Sequence, residues 1–353
     1  MRHLIRACFS GATGYSYAKK AEDVAREHGI DRVARLASNE SPRPPSPAAI
    51  EAATTALRTI NRYPDERASA LVEALRRYHG DYRFVTGAGM DGVIETVIRT
   101  VVEPGETVVV STPTFSFYGL AAAAHGARVV SVPRREKDFS VDTAGFIEAC
   151  RGAKLAFLCT PNNPTGNSVP PEAVEEILEG MEGLLFLDNA YVDFAELDYR
   201  PLMRRHENLV LGRTMSKIFA LAGLRVGYAF VPGWLEPFYH RAATPFALNS
   251  VSLAAAAGAL TDPDRVLEAR DHIREWRQRF LDEIPFKAYP SDANFVMIDV
   301  APHTGDEATE RLAAKGVLVR SCTGFPGLGN RFIRVSIGED WENIRFLEAI
   351  KDL

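Results

Sequence analysis

The stretch LAFLCTPNNPTGNSVPPEAVEEILEGMEGLLFLDNAY, residues 155–191, decides how this chain folds. It holds two short runs, 155–159 and 184–187, that are apolar throughout instead of alternating with polar residues. Strands of that kind are covered on both faces. A helix-like segment lies between them. Working outward, the same alternation repeats, with strand candidates at 82–86, 107–110, 128–131, 209–212 and 226–231. In 90–102, Val93, Ile94, Val97, Ile98 and Val101 fall on one helical stripe. Ser46-Pro47 reads as an N-cap followed by proline at the first helical position, opening a helix to about residue 58. These patterns imply an α/β fold, a mostly parallel central sheet with helices on both faces.

After about residue 245 the pattern changes. A long charged helix is expected over 263–283, then short strands near 295–299, 317–320 and 332–336, and a terminal helix from about 339. This reads as a smaller α+β domain. The expected organisation is a large domain over 46–245 and a small one made of 1–45 together with 246–353.

The chain has 353 residues, 46% hydrophobic and 25% charged, so disorder is excluded as its main state. A net charge of −5 argues against a dedicated nucleic-acid binder. Cys8, Cys150, Cys159 and Cys322 are scattered and form no CxxC pair. Free thiols in a reducing cytoplasm are expected, with no disulfide framework and no metal site. Two stretches lack charge, 107–127 and 242–261, but Pro113 and Ser116 break the first and Pro245 and Asn249 the second. Both are expected to be buried elements of a soluble core and not membrane spans. Arg6 interrupts the only apolar stretch at the N-terminus, which makes a poor signal peptide.

Open α/β sheets place ligands at the carboxyl ends of their strands. Four polar groups follow apolar runs here: Gly87–Gly92, Thr160–Gly166, Asp188–Tyr191 and Arg213–Lys217. The first matches GxGxxG, but a nicotinamide site also needs an acid ending the next strand, and that strand runs into Ser111-Thr112-Pro113. Phosphate binding at a helix N-terminus survives this test. Asp188 directly follows Leu-Leu-Phe-Leu, where a carboxylate is expensive to bury unless paired. Lys217 precedes an apolar segment and so lies against packed surface, while Thr214, Ser216 and Arg225 make a phosphate-binding set. A lysine, a phosphate cradle, a buried carboxylate and an Asn–Tyr pair suit one cofactor, pyridoxal 5′-phosphate.

CTPNNPTG (159–166), LDNAY (187–191) and RTMSKIFALAGLRVGY (213–228) are the strongest motifs, supported by LASNESP (36–42), NRYPD (61–65) and IRVSIG (333–338). On these the chain resembles the fold-type I pyridoxal-phosphate-dependent aminotransferases, and within them the histidinol-phosphate aminotransferase family, from about residue 15 to its C-terminus. The resemblance implies that Lys217 bonds the cofactor and then shuttles a proton, and that Asp188 pairs with the ring nitrogen. It implies that Asn163 and Tyr191 hydrogen-bond the phenolic oxygen and that Phe115 stacks on the ring. Backbone amides of Gly89, Met90 and Asp91 would hold the phosphate with Thr214, Ser216 and Arg225. Tyr63 would reach the cofactor phosphate of a neighbouring subunit in a homodimer. Arg334 would bind the substrate anion, with Arg320, Tyr15 and Asn39 lining the same pocket. The implied reaction moves the amino group of L-histidinol phosphate to the 2-oxo acid 2-oxoglutarate. The segment 320–335 resembles L-threonine-O-3-phosphate decarboxylases about equally well, so that activity and aromatic amino acid transamination stand as alternatives.

Overall fold

Each of the seven apolar runs is a strand of one sheet in the computed structural model of the chain, which describes residues 2–9 and 19–353. Their spatial order is Phe84–Ala88, Val226–Phe230, Leu209–Thr214, Leu184–Asp188, Leu155–Cys159, Thr107–Thr112 and Arg128–Pro133. The five last-named strands pair in parallel. Val226–Phe230 runs antiparallel to both its neighbours. The register sets Cys159 level with Asp188, and Asp188 level with Gly212, so the strand ends form one rim. Five strands run further than the apolar pattern suggests, because Ala88 still pairs with Val226, Thr112 with Pro133, Asp188 with Cys159, and Thr214 with Gly227.

Alternate residues of the buried strands feed two separate apolar layers, as the two-residue period of a strand requires. Ala156, Leu158, Leu185 and Leu187 point into one layer. Leu155, Phe157, Leu184 and Phe186 point into the other. Helix Gly89–Val101 seats Val93, Ile94, Val97 and Ile98 in that second layer, all fully buried. Ser46 caps helix Pro47–Ala56, its hydroxyl accepting from the Ala49 amide at 3.2 Å.

A second sheet is antiparallel, in the order Arg320–Ser321, Phe332–Ser336, Phe295–Asp299, Lys287–Ala288. Helices Pro263–Glu283, Gly305–Ala314 and Asp340–Ile350 belong to the same half of the chain. The single strand expected over 317–320 divides in two. Val317–Leu318 pairs in parallel with Ala34–Arg35, whereas Arg320–Ser321 joins the second sheet. The uncharged stretch 242–261 contains helix Ser250–Ala259, which packs on Pro47–Ala56 and on helix Ser69–His79. Its Ser252 hydroxyl donates to the Leu224 carbonyl at 2.7 Å, so this helix rests on elements of the seven-stranded lobe. No described helix is long and apolar enough to cross a membrane.

Candidate active site

A cleft of about 410 Å³ opens where the rim of the large sheet faces the strands carrying Arg334 and Arg320. Residues from all four polar groups that follow the apolar runs line it: Met90 and Asp91, Asn163, Asp188 and Tyr191, and Thr214, Ser216 and Lys217.

Asp188 ends the fully buried strand Leu184–Asp188. One carboxylate oxygen accepts from the Tyr118 hydroxyl at 2.6 Å and the other from the Ala190 amide at 2.9 Å. Burial raises its pKa to about 6, against the opposing pull of those two donors. Tyr118 is fully buried, stacks on Phe157 at 4.9 Å, and meets Phe115 edge-on at 5.5 Å. Phe115 is half-buried and lines the cleft above this pair.

Lys217 is half-buried, and its ammonium donates to the Ser38 carbonyl at 3.2 Å. Desolvation, followed by the charge of Arg334, lowers its pKa to about 8. A substantial fraction of neutral amine is therefore present near pH 8. The Tyr191 ring lies 5.8 Å from this ammonium, and burial pushes the Tyr191 phenol above the usual range. Asn39 donates to the Tyr191 hydroxyl at 3.1 Å and accepts from Ser336 at 3.0 Å. Its side chain thus serves to hold Tyr191, and its φ of 52° lies in the left-handed region that asparagine tolerates better than most residues.

Arg334 is buried. It donates to Asn163 Oδ1 at 2.5 Å and to the Ala37 carbonyl at 2.7 Å. Arg320 pairs with Arg334 across neighbouring strands and also lines the cleft. Two arginines on neighbouring strands thus line the cleft, and the charge of Arg334 is felt at Lys217.

At the other end, Arg225 pairs with Asp91 at 2.8 Å, and Thr214 Oγ1 accepts from the Ser216 amide at 3.1 Å. The expectation for Gly89 is corrected here. Its amide donates to the Arg225 carbonyl at 2.9 Å, so it is not available to a phosphate. The amides of Met90 and Asp91 lie in the first turn of Gly89–Val101, where a helix supplies no acceptor of its own. Strand Val226–Phe230 passes very close to this turn. A Cβ on Gly227 would stand 2.4 Å from the Gly89 carbonyl group, which explains why glycine occupies the position. Gly89 itself has φ of 73°.

Among the described residues, Tyr63 does not line the cleft. Tyr63 is 83% exposed and stacks on Phe246 at 4.7 Å. Tyr15 lies outside the described residues. Two groups of functional weight escape the sequence reading. Tyr118 lies in helix Phe117–Ala124, which opens just after Phe115, and no sequence motif marks its contact with Asp188. Arg213 forms a buried ion pair with Asp193 at 2.7 Å, tying the strand before Lys217 to the turn after Tyr191.

The aminotransferase class I and II family model matches residues 31–350. A histidinol-phosphate aminotransferase of Methanoculleus marisnigri is 84% identical over 353 residues, covering all of both chains. One from Methanosphaerula palustris is 58% identical over 352 residues, 99% of each. The crystal structure of histidinol-phosphate aminotransferase from Sinorhizobium meliloti in complex with pyridoxal-5′-phosphate superposes with a TM-score of 0.86 at 30% identity. It covers 98% of this chain and 97% of that one.

Proposed function

The chain belongs to the class I and II aminotransferase family, and from that membership we propose that its cleft holds pyridoxal 5′-phosphate and transfers the amino group of L-histidinol phosphate to 2-oxoglutarate. One observation carries the reading. Lys217, Asp188 and the Asp91–Arg225 end converge on a single cleft that also presents Arg334 and Arg320.

The donor set fits the cofactor. Met90 and Asp91 offer first-turn amides, and Thr214, Ser216 and Arg225 add hydroxyl and guanidinium donors for a phosphate. Asn163 and Tyr191 line the cleft and would partner a phenolic oxygen, and Phe115 offers an aromatic face. The bound cofactor supplies an aldehyde that takes up the amino group and a ring that withdraws electrons from the carbon losing its proton. Asp188, ionised above about pH 6, would favour a protonated ring nitrogen on the cofactor. Lys217, with a pKa near 8, gives a neutral amine able to attack a carbonyl and then to carry a proton at the substrate α-carbon. Arg334 serves the anions of both substrates in turn, a phosphate and then a carboxylate, since both accept a paired set of N–H donors. Arg320 adds a second cation for the phosphate. Such alternation of donor and acceptor on one site gives ping-pong kinetics.

The further parts of the reading are a cytoplasmic homodimer in which Tyr63 completes the partner's phosphate site, and a two-domain organisation. The parallel pairing of Ala34–Arg35 with Val317–Leu318 supports joining the N-terminal segment to the C-terminal part. The packing of Ser250–Ala259 supports beginning that part at helix Pro263–Glu283.

A substrate panel tests the function. Purified holoenzyme is given histidinol phosphate, tyrosine or phenylalanine with 2-oxoglutarate, and phosphothreonine with carbon dioxide detection. Glutamate formation is expected to be at least about tenfold more efficient with histidinol phosphate than with the aromatic amino acids, the discrimination that one unmatched charged contact supports. Carbon dioxide release from phosphothreonine without transamination of histidinol phosphate would replace the proposal with decarboxylation.

A further inference from the structure

Outside the cleft, one buried cation has no acid to pair with. Arg134 directly follows the edge strand Arg128–Pro133 and is 4% exposed. Among the described residues no carboxylate forms an ion pair with it. Its guanidinium donates to the Phe139 carbonyl at 3.2 Å and to the Cys159 carbonyl at 3.2 Å, and its Nε is buried without a partner. Burial of a lone guanidinium is costly, and here it lowers the pKa to about 10. The two carbonyls it joins are far apart in sequence. Cys159 ends a central strand, lines the cleft, and leads into the turn that carries Asn163.

Phe139 has φ of 57°, uncommon for a residue with a bulky side chain. Its ring leaves the large sheet's side and packs on Tyr289 at 5.3 Å and Phe332 at 6.1 Å. Met297, Cys322, Phe325 and Leu328 complete that cluster. The cluster adjoins the anion-binding arginines by strand geometry. Phe332 precedes Arg334 by two residues, so both side chains leave the same face. Met297 stands directly opposite Arg334 on the next strand. Cys322 follows Arg320 by two, and its amide donates to the Phe332 carbonyl at 2.9 Å.

We propose that Arg134 and Phe139 act as one positioning unit, which fixes the Arg334 and Arg320 strands against the floor of the cleft at Cys159. The unit links the rim that would hold the cofactor to the cations that would hold the substrate anion. Neither residue touches substrate. The inference rests on Arg334 and Arg320 being the anion-binding groups of the proposed function.

The test uses the full-length protein, freed of cofactor for the cofactor titration and loaded with it otherwise, and the variants Phe139→Ala, Phe139→Leu, Arg134→Gln and Arg134→Lys. Three quantities are measured: pyridoxal-phosphate affinity by absorbance titration, glutarate and inorganic phosphate affinity by calorimetry, and KM and kcat for histidinol phosphate. Phe139→Ala and Arg134→Gln are expected to weaken both anions about tenfold and to raise KM alike, with cofactor affinity changed by less than about twofold, because small misplacements of an oriented group are expensive. Phe139→Leu and Arg134→Lys should recover most of the loss. Unchanged anion affinity, or cofactor affinity falling in step with anion affinity, would overturn the proposal. If Phe139→Ala does not fold, Arg134→Gln decides it by the same criterion. Binding of glutarate and phosphate needs no turnover. A wild-type protein inactive on histidinol phosphate would therefore sink the functional reading and leave this test standing.

Discussion

Asp188 sits where packing works against its charge, and that gives its neighbourhood a measurable pH signature. Its folded pKa is raised by burial from 3.8 to about 6. A raised folded pKa means that the protonated form is favoured in the native state. The resulting penalty is absent below about pH 4, grows up to about pH 6, and stays constant above that, reaching on the order of 3 kcal/mol. In the protein without cofactor, Asp188→Asn removes that penalty but keeps one acceptor oxygen in place of two, which costs about 1 kcal/mol. The variant is expected to be more stable than wild type by about 1–2 kcal/mol at pH 7.5 and less stable at pH 4. Urea unfolding at the two pH values checks it, and a difference of the same sign at both would refute the account. The same variant should bind pyridoxal phosphate more weakly at every pH. Asp188 and Lys217 were legible as site residues because each ends or follows an apolar run, where a charge needs a reason. Tyr118 and Ser336 were not, because their roles consist of contacts with residues 70 and 297 positions away.

At the scale of elements, local chemistry predicts well and long-range pairing does not. The Ser46-Pro47 start is a purely local signal, and the structure begins the helix at Pro47. Replacing Ser46 by Ala is expected to cost about 1 kcal/mol, the usual loss of a side-chain cap. Thermal unfolding should show it, and an unchanged midpoint would mean that packing on Ser250–Ala259 alone holds the helix end. The strands Leu155–Cys159 and Phe332–Ser336 and the helix Pro263–Glu283 have the bounds that their apolar runs and charge pattern suggest. The division at Val319 was invisible, because two neighbouring dipeptides take partners from opposite ends of the chain. The Gly89 amide was misjudged for a similar reason. Its acceptor comes from a loop more than a hundred residues later.

The whole molecule presents an apolar surface around Tyr63. Ile60 is 61% exposed, Tyr63 83% and Phe246 43%, which suits a surface that a second copy covers. Under the proposed shared site, each cofactor would need Lys217 from one protomer and Tyr63 from its partner. Lys217→Ala homodimers are expected to be inactive, and Tyr63→Ala homodimers to be weak at limiting cofactor. Unfolding and refolding the two together should restore about a quarter of wild-type sites, since half the random dimers carry one intact site of two. No recovery on mixing would remove Tyr63 from the site. The architecture of the large sheet was readable because its apolar runs are uninterrupted, whereas this surface was readable only as a motif, NRYPD at 61–65, without its neighbours.

The close pass of Gly227 over the Gly89 carbonyl divides the cleft into parts that mutation can and cannot edit. The helix start that carries the Met90 and Asp91 amides is shaped by main chain pressed against main chain, with no room for a methyl group on Gly227. Arg320 and Arg334, at the opposite end, act through side chains alone. A lineage descended from this chain can therefore exchange the side chains at either end one residue at a time, while the main-chain crossing at Gly89 and Gly227 is inherited whole or lost.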